Sequence, residues 1–245
     1  MEFKEIGEMI FDIAYTGIIW CIAINMLSSI NRRSSNFKLQ KSVSLAFTFL
    51  AIGDTGHVIS RVIAYLNGGT DFSINFSGGN FAVVGFGRIT TSITVTLFYF
   101  LMLEIWRHRF DKPIDFKYVL LQITGLSRFV LLLFPQNKWG DVVSPHDWSI
   151  VRNIPLFVVG LLVIFLFMHS SLKSEKSGKI DNVFLKAAIA IIISFAFYTP
   201  VILFVNTIPE IGFLMIPKTL AYLYLALLFR KNLFIKEKKS GFLQR

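Results

Sequence analysis

Seven long apolar segments dominate this sequence and constrain its fold more than any other feature. They cover residues 6–27, 42–66, 81–106, 118–135, 148–168, 184–204 and 211–229. A helix needs about 20 predominantly apolar residues to cross a hydrocarbon layer about 30 Å thick, and strands cannot satisfy their backbone groups there unless they close a barrel. The sequence therefore predicts an all-α, polytopic membrane protein, a seven-transmembrane-helix bundle. The fourth and seventh segments are the shortest, and Pro217 is expected to break the seventh.

The composition agrees with a membrane-embedded chain and excludes several other classes. Of 245 residues, 54% are hydrophobic and only 16% are charged, whereas an average soluble domain has about 25% charged residues. No soluble stretch is long enough for a nucleic-acid-binding domain, so the net charge of +10 does not indicate such a partner. The single Cys21 allows neither an intramolecular disulfide nor a cysteine metal cluster. No cofactor and no metal is predicted.

The distribution of basic residues between the segments predicts the orientation, because Lys and Arg near span ends stay on the cytoplasmic side. The loops after the first, third and fifth spans and the tail hold 18 of the 25 bases, whereas the opposite side has only Lys4 and Lys138. We therefore expect the N-terminus outside and the C-terminus in the cytoplasm, and we expect the protein in the plasma membrane. The whole chain, 1–245, reads as one transmembrane domain that ends in a basic cytoplasmic tail, 230–245, and membrane lipids are its expected partners.

Five bases are left inside the predicted spans, and they are the main functional signal. Ionisable groups in spans are costly, face the bundle interior and are functional-site hypotheses by default. From the rise of 1.5 Å per residue, Arg88, Arg128 and Lys218 lie about 10 Å below the outer span ends, and Arg61 and Arg152 about 6 to 8 Å below them. All five therefore fall in the outer half.

Polar residues share helix faces with these bases. Thr91 and Ser92 follow Arg88 by three and four residues, Lys218 precedes Tyr222 by four, and Tyr198 adds a hydroxyl on the sixth span. Residues three and four apart lie on one helix face, so these positions predict inward-facing polar lines. The predicted ligand-binding set is Arg61, Arg88, Arg128, Arg152, Lys218, Tyr198, Tyr222, Thr91 and Ser92.

Such a set favours an anionic or amphipathic small molecule or lipid as the ligand. Arg presents bidentate donors that match carboxylate and phosphate, and Lys supplies a point charge. The first hypothesis is therefore an outer-half basic cavity in a transporter or a sensor.

An intramembrane lipid-modifying enzyme is the alternative hypothesis. His57 lies three residues after Asp54 on the second span, so His57 could act as a base that Asp54 orients, with the arginines stabilising an oxyanion. The sequence contains no HExxH, GxSxG or Walker motif that would support catalysis independently.

A third hypothesis comes from the layout of the spans. Seven spans, an outer N-terminus and Lys218 in the seventh span resemble the rhodopsin arrangement, in which a lysine there carries retinal as a Schiff base. The resemblance is topological. The third span carries Arg88, whereas that family commonly has a carboxylate counter-ion there, and the residues around the lysine, MIPKTLAYLY, depart from the family pattern.

Overall fold

A computed structural model describes residues 3–76, 78–173 and 180–235 of the chain. The seven α-helices of this part are α1 (Phe3–Ser28), α2 (Phe37–Leu66), α3 (Val83–Arg109), α4 (Phe116–Leu132), α5 (His146–Leu172), α6 (Asn182–Phe204) and α7 (Met215–Phe229). Two short strands, β1 (Ser73–Phe76) and β2 (Gly79–Ala82), form an antiparallel hairpin between α2 and α3. The all-α architecture is confirmed, and the apolar pattern did not predict the hairpin.

Within the described residues, six helical stretches are long and apolar enough to cross a membrane. The exception is α4, whose apolar part covers only Tyr118–Leu132. The sequence extends this span to Pro135, but Pro135 begins a short 3₁₀ turn, Pro135–Asn137, because a proline nitrogen cannot donate to a continuing helix. These fifteen residues span about 23 Å, which is less than the hydrocarbon thickness.

The boundaries of α3 and α7 also differ from the predicted ones. Residues 81 and 82 belong to β2, so α3 begins at Val83. Residues Pro209–Leu214 form a 3₁₀ helix, and α7 begins at Met215. Pro217 does not break α7, because it lies in the first helical turn, where backbone N–H groups have no partner within the helix.

Interlocked aromatic rings form the core at the end of the bundle where α3 ends and α6 begins. The Phe184 ring packs against Phe167 and Phe229 at centroid distances of 5.1 and 5.4 Å. Phe47 joins them through Phe229 and contacts Phe98 at 5.8 Å. Phe47, Phe98, Phe167, Phe184 and Phe229 are fully buried. The rings explain part of the high phenylalanine content and leave the opposite end of the bundle to polar groups.

Glycines bring α2 and α3 into close contact at that polar end. A Cβ added at Gly53 would lie 2.0 Å from Thr94 Oγ1, and one at Gly87 would lie 2.2 Å from Ser60 Oγ. Small residues permit such close approach between membrane helices. The Thr91 hydroxyl donates to the carbonyls of Gly53 and Gly87 at 3.2 and 2.8 Å. Asp54 and His57 are therefore held beside α3 on a tightly packed face.

The hairpin and the loop between α4 and α5 cover the polar end of α3. The backbone N–H of Ala82 donates to the Gly140 carbonyl at 2.8 Å, which joins hairpin and loop. Phe81 packs against Phe76 and Phe86, with ring centroids 5.8 and 4.4 Å apart. The hairpin and this loop therefore lie beside Arg88 of α3.

Candidate functional site

Arg128 is a fully buried base that joins three helices. It lies on α4 with 2% of its surface exposed. Its Nη1 donates to Thr96 Oγ1 at 2.7 Å and to the Ser92 carbonyl at 3.1 Å, both on α3. Its Nε and Nη2 donate to the Arg152 carbonyl at 3.1 Å and to Asn153 Oδ1 at 2.9 Å, both on α5. All four acceptors are formally neutral, so the guanidinium is hydrogen-bonded without being neutralised.

Arg88 and Arg152 converge on one hydroxyl group in the loop between α4 and α5. Ser144 Oγ accepts from Arg88 Nη1 at 2.7 Å and from Arg152 Nη1 at 3.1 Å. Arg88 also donates to the carbonyls of Trp139 and Asp141. Arg152 Cζ lies 4.7 Å from the centroid of the Trp139 ring. The two guanidinium groups therefore stabilise a loop that folds back over the short helix α4.

Asn137 completes this loop by capping the end of α4. Its Nδ2 donates to the carbonyls of Leu131 and Phe134 at 2.7 and 2.9 Å, and its Oδ1 accepts from Arg152 Nη1 at 3.3 Å. The free carbonyls at a helix end need such donors when water is excluded. The Asn137 side chain thus satisfies backbone carbonyls at the end of α4.

The three arginines carry more charge than their surroundings neutralise. Among the described residues, no carboxylate oxygen lies within 4.0 Å of Arg88, Arg128 or Arg152; the ion pairs there are those of Arg61, Arg107, His108 and Arg109. The Asp141 carboxylate acts on Arg88 only from a greater distance. In the part of the chain that the structure describes, Arg88 Nε is buried without a hydrogen-bond partner.

Lys218 extends from α7 into the interior beside two tyrosines. Its Nζ lies 5.1 Å from the Tyr198 ring centroid and 5.4 Å from that of Tyr222, distances typical of cation–π contacts. Within the described ranges the ammonium donates no hydrogen bond and has no ion pair within 4.0 Å. The Tyr222 hydroxyl lies 2.9 Å from that of Tyr99. Lys218 is therefore a half-buried cation whose three N–H donors have no acceptor among the described residues.

Asp54 is the acidic group that interacts with Lys218. The two side chains interact electrostatically, and the Tyr15 hydroxyl donates a hydrogen bond to the carboxylate. Its second oxygen, Oδ2, is buried and has no hydrogen-bond partner among the residues described. Rhodopsin-like proteins commonly have a carboxylate near this lysine on the third span. In this protein Asp54 on α2 is a carboxylate that interacts with Lys218.

Tyr198 connects the arginines to Lys218. Its hydroxyl lies 3.5 Å from Asn153 Oδ1, the group that also accepts from Arg128, and its ring faces Lys218. Phe157 stacks on the Tyr198 ring at 6.0 Å and contacts Phe195 at 5.3 Å. We call Arg88, Arg128, Arg152, Lys218, Tyr198 and Asn153 the basic cluster. Four of the five bases singled out from the sequence belong to it.

Arg61 lies apart from the basic cluster. Its Nη1 contacts Glu8 Oε1 at 2.7 Å and Asp12 Oδ2 at 3.7 Å, and its Nη2 donates to the Tyr65 hydroxyl at 3.0 Å. Glu8 lies at the start of the first predicted span, and hydropathy gave no signal that it pairs with Arg61. The pair links α1 to α2 and occupies both terminal nitrogens of Arg61.

The other predicted residues have different roles from those the sequence suggested. Thr91 donates to backbone carbonyls, and Ser92 contributes its carbonyl to Arg128. Asp54 and His57 share no hydrogen bond. Sequence reasoning missed Asn153, Ser144 and Asn137; the only signal was their polarity beside apolar stretches.

The described part of the chain contains no group of three or more His, Cys, Asp or Glu residues that could hold a metal ion. Comparison of the chain with protein-family models, with curated proteins and with solved structures finds no match. Fold and site together define an α-helical membrane protein with a basic cluster inside its bundle.

Proposed function

We propose that the chain crosses the plasma membrane seven times, with its N-terminus outside and its C-terminus in the cytoplasm. The support is the one-sided distribution of 18 bases between alternate loops and the tail. In a Cys21→Ser background, a membrane-impermeant maleimide should label a Lys138→Cys variant on intact cells and a Lys38→Cys variant only after permeabilisation. Labelling of Lys38→Cys on intact cells would contradict the orientation.

We further propose that the basic cluster binds the anionic head group of a small molecule or lipid, as the ligand site of a transporter or a sensor. The observation that carries the proposal is the charge balance. Arg128 donates to Asn153, the Tyr198 hydroxyl lies 3.5 Å from Asn153, and Lys218 faces the Tyr198 ring. Arg88 and Arg152 share Ser144 in the adjacent loop, and Asp54 is the acidic side chain that interacts with Lys218. An excess of buried positive charge is costly unless an anion or water compensates it.

The donors of the cluster favour binding at Lys218. The terminal nitrogens of Arg128 and Arg152 donate to protein acceptors, whereas the Lys218 ammonium donates to none of the described residues. Its three donors suit a carboxylate or phosphate oxygen. The partly buried Phe157 ring, which stacks on the Tyr198 ring, gives an apolar surface for the tail of an amphiphile.

Replacing Lys218 with Gln should weaken the binding of an anionic amphiphile by about 10- to 100-fold, because a hydrogen bond to a charged group contributes about 1.5–3 kcal/mol. The probe is radiolabelled dodecyl phosphate, measured by equilibrium dialysis with the protein in phosphatidylcholine nanodiscs. Phosphatidylcholine has no net charge, so the nanodisc lipid adds little charge of its own to the measurement.

Two variants control for the loss of a positive charge. Lys138→Gln removes an exposed base from the loop after α4, and Arg61→Gln removes the base that pairs with Glu8. Both should bind the probe as the wild type does. Equal affinity of Lys218→Gln and the wild type would overturn the proposal.

A further inference from the structure

A groove on the outer surface of the bundle runs between α6 and α7. Its volume is about 460 Å³, within the about 300–1,000 Å³ typical of small-ligand pockets. Ile193 of α6 and Leu220 of α7 line its sides, and their exposed fractions are 42% and 47%. In a membrane protein such a groove faces the lipid tails.

The two ends of the groove differ in charge. Lys186, in the first turns of α6, lies at one end, and Phe197 and Pro217 lie at the other. Lys186 and Phe197 are eleven residues apart, which corresponds to about 16 Å along the helix. The groove is therefore long and apolar, with an exposed base at one end only.

The basic end of the groove lies on the side where the loop bases concentrate. Lys231 is exposed in the π-helix Arg230–Ile235 that follows α7, seven residues after Tyr224 of the groove, and so adds a second base beyond that end. Basic pockets between helices on the cytoplasmic side suit acidic lipid head groups. Charge and shape together match a lipid whose phosphate lies at Lys186 and whose acyl chain lies in the groove.

We propose that the α6–α7 groove binds one anionic phospholipid of the leaflet on the basic side. This site is separate from the basic cluster, because the Lys218 ammonium contacts Tyr198 and Tyr222 in the interior while Pro217 and Leu220 face the groove. The inference does not depend on the proposed ligand of the cluster.

Native mass spectrometry of the purified protein, mixed with phosphatidylglycerol and phosphatidylcholine of identical chains, tests this proposal. The wild type should retain one phosphatidylglycerol with a preference of about fivefold or more, since a lysine near anionic lipid contributes about 1 kcal/mol. Lys186→Gln should lose that preference. The control Lys38→Gln, an exposed base at the start of α2, should keep it. An unchanged preference in Lys186→Gln would overturn the assignment of the head group.

A second variant tests the groove itself. Ile193→Trp adds bulk at a partly exposed position, so the ring fills the groove rather than the core and should release the retained lipid. The matched control Ile13→Trp lies on α1, where Ile13 is 50% exposed, and should retain it. Equal lipid retention by the two variants would show that the acyl chain of the lipid does not lie between α6 and α7.

Discussion

Replacing Arg128 with Met should lower the free energy of unfolding by roughly 3 kcal/mol, because each buried polar group left without a partner costs about 1–3 kcal/mol. The substitution removes donors from Thr96 Oγ1, Asn153 Oδ1 and two backbone carbonyls on α3 and α5. Removal of a buried charge offsets part of this loss. The net effect is large because one side chain links three helices.

Equilibrium unfolding in mixed micelles, followed by circular dichroism, measures this loss. Arg32→Met is the matched control, since Arg32 is exposed in the loop after α1, and it should unfold like the wild type. Arg128→Lys should be intermediate, because an ammonium keeps the charge but cannot reach both α3 and α5. Wild-type stability of Arg128→Met would show that these contacts contribute little.

Replacing Gly87 with Val should be at least as damaging, with a loss of about 3 kcal/mol or failure to fold, because overpacking a tight site costs about 1–3 kcal/mol and sometimes more. A Cβ at this position would lie 2.2 Å from Ser60 Oγ and 2.9 Å from the His57 Cα. The serine hydroxyl can rotate, but the backbone of α2 cannot yield without moving Asp54. We therefore expect probe binding to fall together with stability.

Gly17→Val is the control for the effect of valine in a helix. A Cβ at Gly17 on α1 would have no other atom within 4 Å. Its unfolding free energy should stay within about 1 kcal/mol of the wild type, the range of helix propensities. The same unfolding titration compares both variants. A Gly87→Val protein as stable as Gly17→Val would contradict the close α2–α3 packing.

Hydropathy predicted the helices because an apolar run of membrane-spanning length has few other stable conformations. The shortness of α4 was visible in the same pattern. The hydropathy pattern did not show the loop that follows α4, because this loop depends on Asn137, Ser144 and Arg152 and on Arg88, which lies 56 residues before Ser144. Contacts between residues far apart in sequence leave no periodic signal.

Counting residues predicts a depth for each of the five bases, but it does not predict which of them lie together. Helix rise gives a height along the span, whereas the direction of a side chain depends on how each helix is rotated and packed. Arg61 and Arg88 lie at similar predicted depths, yet Arg61 pairs with Glu8 on α1 and Arg88 contacts Ser144 beyond α4. The hairpin was missed for a related reason: Ser73–Phe76 is four residues long, too short for a clear alternation.

The most direct test of the basic cluster is an experimental structure of the protein with bound dodecyl phosphate. We expect density for the phosphate beside the Lys218 ammonium and the Tyr198 hydroxyl, with the alkyl chain near Phe157. Phosphate density outside the bundle, together with a direct Lys218–Asp54 ion pair in the interior, would contradict anion binding by the cluster.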